Sequence, residues 1–238
     1  MLSKYTKNAL VVMVLMSSLL ITQPAMAGEE GDAVIKKNNC TSCHNLTGPS
    51  PSTVKGIWER KGPDLFYAGN KYKKEWLDTW LQKPTTIRPA GMYYGNNIKT
   101  GPKRDVVDES KIKPHMVLSK KDAYEVTESL MHLKAKSELI KLGDFDKRTI
   151  STMMGEMAFD KFTGCMACHQ IEAGYGGLSG PEVYTAGNRL QDDYMMSFIR
   201  SPQAWDPKTM MPNKHISEEN IQKIVAYLKA LSAEGGNK

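Results

Sequence analysis

Apolar residues recur every three or four positions through most of this chain. Nowhere do they alternate with period two for long enough to make a sheet, so the pattern predicts an all-α fold. One stripe, Ala123, Val126, Leu130 and Leu133, predicts a helix from about Lys120 to Lys136. Another, Ile221, Ile224, Val225 and Leu228, predicts a helix from about Glu218 to Leu231. Ser119 and Ser217 stand where helix N-caps belong, and Glu218 and Glu219 add acids to the second helix's first turn. The chain opens differently. Lys4 and Lys7 precede a nearly unbroken apolar run, Leu10 to Ile21, and Ala25-Met26-Ala27 makes a small-x-small cleavage site. Residues 1–27 therefore read as a secretory signal, with the periplasm as the expected compartment. The apolar run is short against the ~20 residues of a spanning helix. Membrane association is expected only if this segment stays uncleaved as an anchor.

The same unit occurs twice. Gly62-Pro-Asp-Leu-Phe-Tyr-Ala-Gly-Asn70 returns as Gly180-Pro-Glu-Val-Tyr-Thr-Ala-Gly-Asn188, an offset of 118. Each copy runs without a gap into a helix-like segment closed by proline, Lys71–Pro84 and Arg189–Pro202. Two small domains are expected, 28–142 and 143–238, with the break at Gly143-Asp-Phe-Asp146.

The four cysteines of the chain lie in Cys40-Thr-Ser-Cys43-His44 and Cys165-Met-Ala-Cys168-His169. On a helix, positions i, i+3 and i+4 share a face, so two thiols can bind haem vinyls while the imidazole reaches the iron. A redox dithiol has no need of that histidine, and zinc-ribbon spacing is far shorter. Two covalently bound haem c groups are the expected cofactors, and no cysteine is left for a disulfide.

Charge changes this picture little. The formal charge is +6, and removing Lys4 and Lys7 with the leader leaves 30 basic against 26 acidic groups. Four haem propionates would nearly cancel that excess. Residues 28–140 hold 19 basic and 14 acidic groups, so the first half could steer an acidic redox partner or meet anionic lipid. There is no arginine cluster interleaved with aromatics, and nucleic acid is not suggested.

Taken together, these motifs resemble class I cytochrome c domains in tandem, as in dihaem cytochromes of the c-four type. The resemblance implies a small helical bundle around each haem. It implies thioethers at Cys40, Cys43, Cys165 and Cys168, with His44 and His169 as proximal iron ligands. Pro63 and Pro181 match the family's proline whose carbonyl accepts the proximal imidazole N–H. Pro207-Lys-Thr-Met-Met-Pro-Asn213 looks like the family's distal loop, which makes Met211 the ligand and Met210 its neighbour. The first half departs from that register. Lys113 stands where Met211 would be, and about twenty residues are inserted between Pro89 and Ser119. Its distal candidates are His115, then Met116, then Met92. His132 and His215 are read as pointing to solvent or core, and the tryptophans as packing against haem edges.

The expected function is transfer of single electrons between soluble or membrane-bound redox protein partners, with no substrate chemistry. The alternative is a haem-containing subunit of an oxidoreductase, or a peroxidase-like enzyme with an open haem in the first domain.

Overall fold

A computed structural model describes residues 28–103, 105–147 and 151–235. The leader read at 1–27 lies outside the described residues. Among them, no helix is long and apolar enough to cross a membrane.

The first half contains α1 (Glu29–Lys37), α2 (Val54–Glu59), α3 (Ala68–Lys71), α4 (Lys74–Gln82) and α5 (Lys120–Met131). The second contains α6 (Thr152–Glu156), α7 (Ala186–Arg189), α8 (Asp192–Arg200), α9 (Pro202–Trp205) and α10 (Glu218–Gly235). Helices α3 and α4 precede α7 and α8 by the same 118 positions, so the repeat in sequence is a repeat in structure.

Local chemistry sets the ends of these helices. Ser119 Oγ accepts the Asp122 N–H at 3.1 Å and caps α5. That helix stops at Met131 rather than Lys136: the His132 and Leu133 N–H groups donate to the Ser129 and Leu130 carbonyls, three residues back instead of four, and Lys136 further on is left-handed with φ 64°. Leu133 still packs on the first core from beyond the helix end. Helix α10 continues past Leu231. Its last turn is held by Ser232, which donates to the Leu228 carbonyl at 2.9 Å and accepts the Gly187 N–H at 2.8 Å. Two antiparallel ribbons went unannounced by the pattern: β1 (Ile98–Lys99) with β2 (Val106–Val107), and β3 (Gln170–Glu172) with β4 (Tyr175–Gly176). Strands this short carry no readable alternation.

In each half the first helix crosses the last one closely. A Cβ added at Gly31 would lie 2.2 Å from the Glu125 carbonyl oxygen, and one at Gly155 would lie 2.6 Å from Tyr227 Cβ. Larger side chains there would push α1 off α5 and α6 off α10. Beneath these crossings lie Ile35, Val126 and Leu130 in one core and Phe159, Ile221, Ile224 and Val225 in the other, all buried. Each such side chain contributes about 1.5–3 kcal/mol of hydrophobic stabilisation.

The two copies meet about their own equivalent positions. Tyr72 and Leu190 pair in an antiparallel bridge. On either side, the Lys73 N–H donates to the Arg189 carbonyl at 3.0 Å and the Gln191 N–H to the Lys71 carbonyl at 2.9 Å. The exchange is reciprocal, as a two-fold relation between the copies requires. A third buried cluster, Phe66, Tyr67, Tyr194 and Trp205, spans the same junction. Lys136 Nζ, carried there by its left-handed turn, donates to the carbonyls of Ala204 (2.7 Å) and Trp205 (2.6 Å).

Candidate functional site

Each Cys-x-x-Cys-His segment folds as one tight turn, not as part of a longer helix. Asn39 (φ 53°) and Gly164 (φ 63°) are left-handed immediately before the first cysteine, which ends the preceding helix. A 3-10 turn follows at Cys40–Ser42 and at Cys165–Ala167. The histidine closes it: the His44 N–H donates to the Cys40 carbonyl at 3.0 Å, and the His169 N–H to the Cys165 carbonyl at 3.1 Å. The expected helical face is thus supplied by a single turn. All four cysteines are free, Cys43 and Cys168 exposed, Cys40 and Cys165 half-buried. Burial pushes the Cys40 and Cys165 thiols up, and the Thr163 hydroxyl, 3.0 Å from Cys165 Sγ, draws the latter partly back.

Both imidazoles are anchored from behind. His44 Nδ1–H donates to the Pro63 carbonyl at 2.9 Å and His169 Nδ1–H to the Pro181 carbonyl at 2.7 Å. That bond leaves Nε2 with its lone pair facing outward and makes it more basic toward a metal. Burial pushes the pKa of both rings below the ordinary histidine value, so they are neutral, as a ligand must be. The glycine before each proline is part of the cradle. A Cβ on Gly62 would sit 2.6 Å from His44 Cε1, and one on Gly180 would sit 2.7 Å from His169 Cε1. Sequence reasoning passed over these two glycines, although both belong to the repeated motif.

Opposite His44 stands His115. Their ring centroids are 6.1 Å apart. Two imidazoles on opposite sides of one metal, each with a bond of about 2 Å, set their ring centres about 6 Å apart. His115 Nδ1–H donates to the Met116 carbonyl at 2.8 Å, again leaving Nε2 free to bind. Trp80 packs against the His115 ring at 4.8 Å. Met116 is 40% exposed, and its carbonyl is the one that accepts from His115. Met92 lies half-buried at the start of the insertion. In the second half, Met210 is 74% exposed while Met211 is half-buried, its carbonyl accepting from Gln203 Nε2 at 2.9 Å. His132 is exposed and bonds its own helix at the Glu128 carbonyl, and His215 is exposed with φ 50°.

A covalently attached haem fits these residues: paired thiols and a neutral imidazole on one turn, a glycine kept bare for that ring, and a second imidazole at metal-bridging distance in the first half. Residues 151–228 match the family model described as cytochrome c oxidase, cbb3-type, subunit III. The matched span includes Cys165, Cys168, His169, Pro181 and Met211, and the first half lies outside it. No curated protein and no solved structure matches the chain. The chain therefore carries a c-type cytochrome domain, whose chemistry is electron transfer through covalently bound haem c.

Proposed function

We propose that the protein is a dihaem c-type cytochrome, two tandem class I domains that pass single electrons between redox protein partners in the periplasm. The observation that carries this reading is the duplicated cradle, His44–Pro63 at 2.9 Å and His169–Pro181 at 2.7 Å, each beside its own cysteine pair. When bound, the haem iron supplies the one-electron change. The protein residues do the rest. Cys40, Cys43, Cys165 and Cys168 tether, and the two proximal imidazoles are held in one tautomer by the proline carbonyls. His115 closes the first site and Met211 the second. A thioether opposite histidine favours ferrous iron, whereas a second imidazole is the stronger donor and favours ferric iron. With these ligands the first haem would be the lower in potential of the two. With His115 and Met211 bound, neither iron would have a position left for substrate.

A second reading, a haem-bearing subunit of a terminal oxidase, is supported by the description of the family that residues 151–228 match. It changes the partner, not the sites. The intact mass of the purified, denatured protein tests the main reading. The expected mass is the mature chain plus two haems, and a mass with one haem contradicts it.

A further inference from the structure

Two carbonyls at equivalent positions are held by the opposite half. Ile87 and Trp205 are 118 apart, each two residues before a loop proline, Pro89 or Pro207. The Ile87 carbonyl accepts the Glu182 N–H of the second half at 2.8 Å. The Trp205 carbonyl accepts from Lys136 Nζ of the first half at 2.6 Å, and the same ammonium donates to the Ala204 carbonyl at 2.7 Å. These are the last carbonyls of α9, which lack a partner within the helix. The next residue is held as well. Arg60, which closes α2, donates from Nη1 to Asp206 at 2.7 Å and from Nη2 to Asp64, the neighbour of Pro63, at 3.2 Å.

The insertion in the first half makes the consequences unequal. Met211 lies five positions after Asp206, whereas His115 lies 28 after Ile87. Hydrogen bonds step from the held segment to the methionine. The Asp206 carbonyl accepts the Thr209 N–H at 3.0 Å, and Thr209 Oγ1 accepts the Met211 N–H at 3.4 Å. Gln203 of α9 donates to the Met211 carbonyl at 2.9 Å. The His115 loop is instead tied to its own half, by the Leu118 N–H on the Leu81 carbonyl at 3.0 Å and by the Trp80 ring. The Arg60 and Asp206 side chains are only 12% and 11% exposed, so removing the guanidinium leaves a buried carboxylate that must turn out to water. Turning it out carries the Met211 loop with it.

We propose that Arg60 and Lys136, both in the first half, are positioning residues for Met211, so that the second iron keeps its methionine only while the halves are docked. The proposal rests on the reading of Met211 as distal ligand in a two-haem protein. A thioether carries no charge to draw it to iron, so its occupancy follows from how firmly the loop presents it.

The test compares the holoprotein with its Lys136→Met, Lys136→Arg and Arg60→Met variants, and with Ile224→Ala as a control that weakens the second core away from the loop. The readouts are the methionine-sulfur charge-transfer band, the carbon monoxide response of the reduced protein and the EPR signal of the first haem. Lys136→Met and Arg60→Met each raise the methionine-free fraction about tenfold, the equilibrium equivalent of one charge-assisted hydrogen bond. Carbon monoxide then binds the second haem, while the first haem's signal is unchanged. Lys136→Arg, which keeps donors for both carbonyls, restores the band. A band that stays intact in both methionine variants, or that fades equally in Ile224→Ala, overturns the proposal and leaves the two-haem reading standing. A single haem, or no methionine band, in the unsubstituted protein overturns the reading and the proposal together.

Discussion

Replacing Cys165 and Cys168 together by alanine removes one haem from every molecule and unfolds the second half, while the first half keeps its spectrum. The second core is built up to the site: Phe159, buried beneath α10, lies 6.4 Å from the His169 ring, and Val183 follows the Pro181 carbonyl that holds that ring. A domain of roughly a hundred residues buries too little surface to tolerate a void of haem size. The loss is expected to reach the order of the whole margin of such a domain, about 5–15 kcal/mol. Cys40→Ala with Cys43→Ala does the same to the first half. Intact mass and thermal unfolding read the outcome. Two covalent haems after either double replacement would contradict the attachment sites.

Met211→Ala is expected to keep both haems and change the chemistry of one. With Met211 as the distal ligand, removing its thioether would open a coordination position on the second iron and take away the ligand that favours its ferrous form. Axial ligation spans about 0.8 V across haem proteins, so a fall on the order of 0.1 V or more is expected. The reduced variant also binds carbon monoxide at that haem. Met210→Ala, at the exposed neighbour, leaves potential and spectrum unchanged. If the two alanine variants behave alike, Met211 is not the ligand.

Much of this molecule was legible because its sequence repeats. The Ser119 cap, the core stripe of α10 and the paired Gly-Pro motifs are local patterns, and local patterns survive in a sequence. The early end of α5 and the single turn at Cys40–Ser42 were not legible: the first is a tightening of the last turn onto the Ser129 and Leu130 carbonyls, and the second depends on Asn39, which is left-handed without being glycine. The distal residue of the first half could be narrowed only to His115, Met116 and Met92, because the insertion destroys the register that points to Met211. The 6.1 Å approach of His115 to His44 is a contact across 71 positions of chain, and no periodicity encodes it.

The most direct test of the central claim is the EPR spectrum of the ferric protein, taken with the optical response of the reduced protein to carbon monoxide. The account predicts two low-spin signals of unequal shape, a methionine-sulfur charge-transfer band from one haem only, and no carbon monoxide adduct. A high-spin signal, or an adduct at either haem, would contradict it and make the first site, where His115 is proposed to close the iron, the place to look for catalysis.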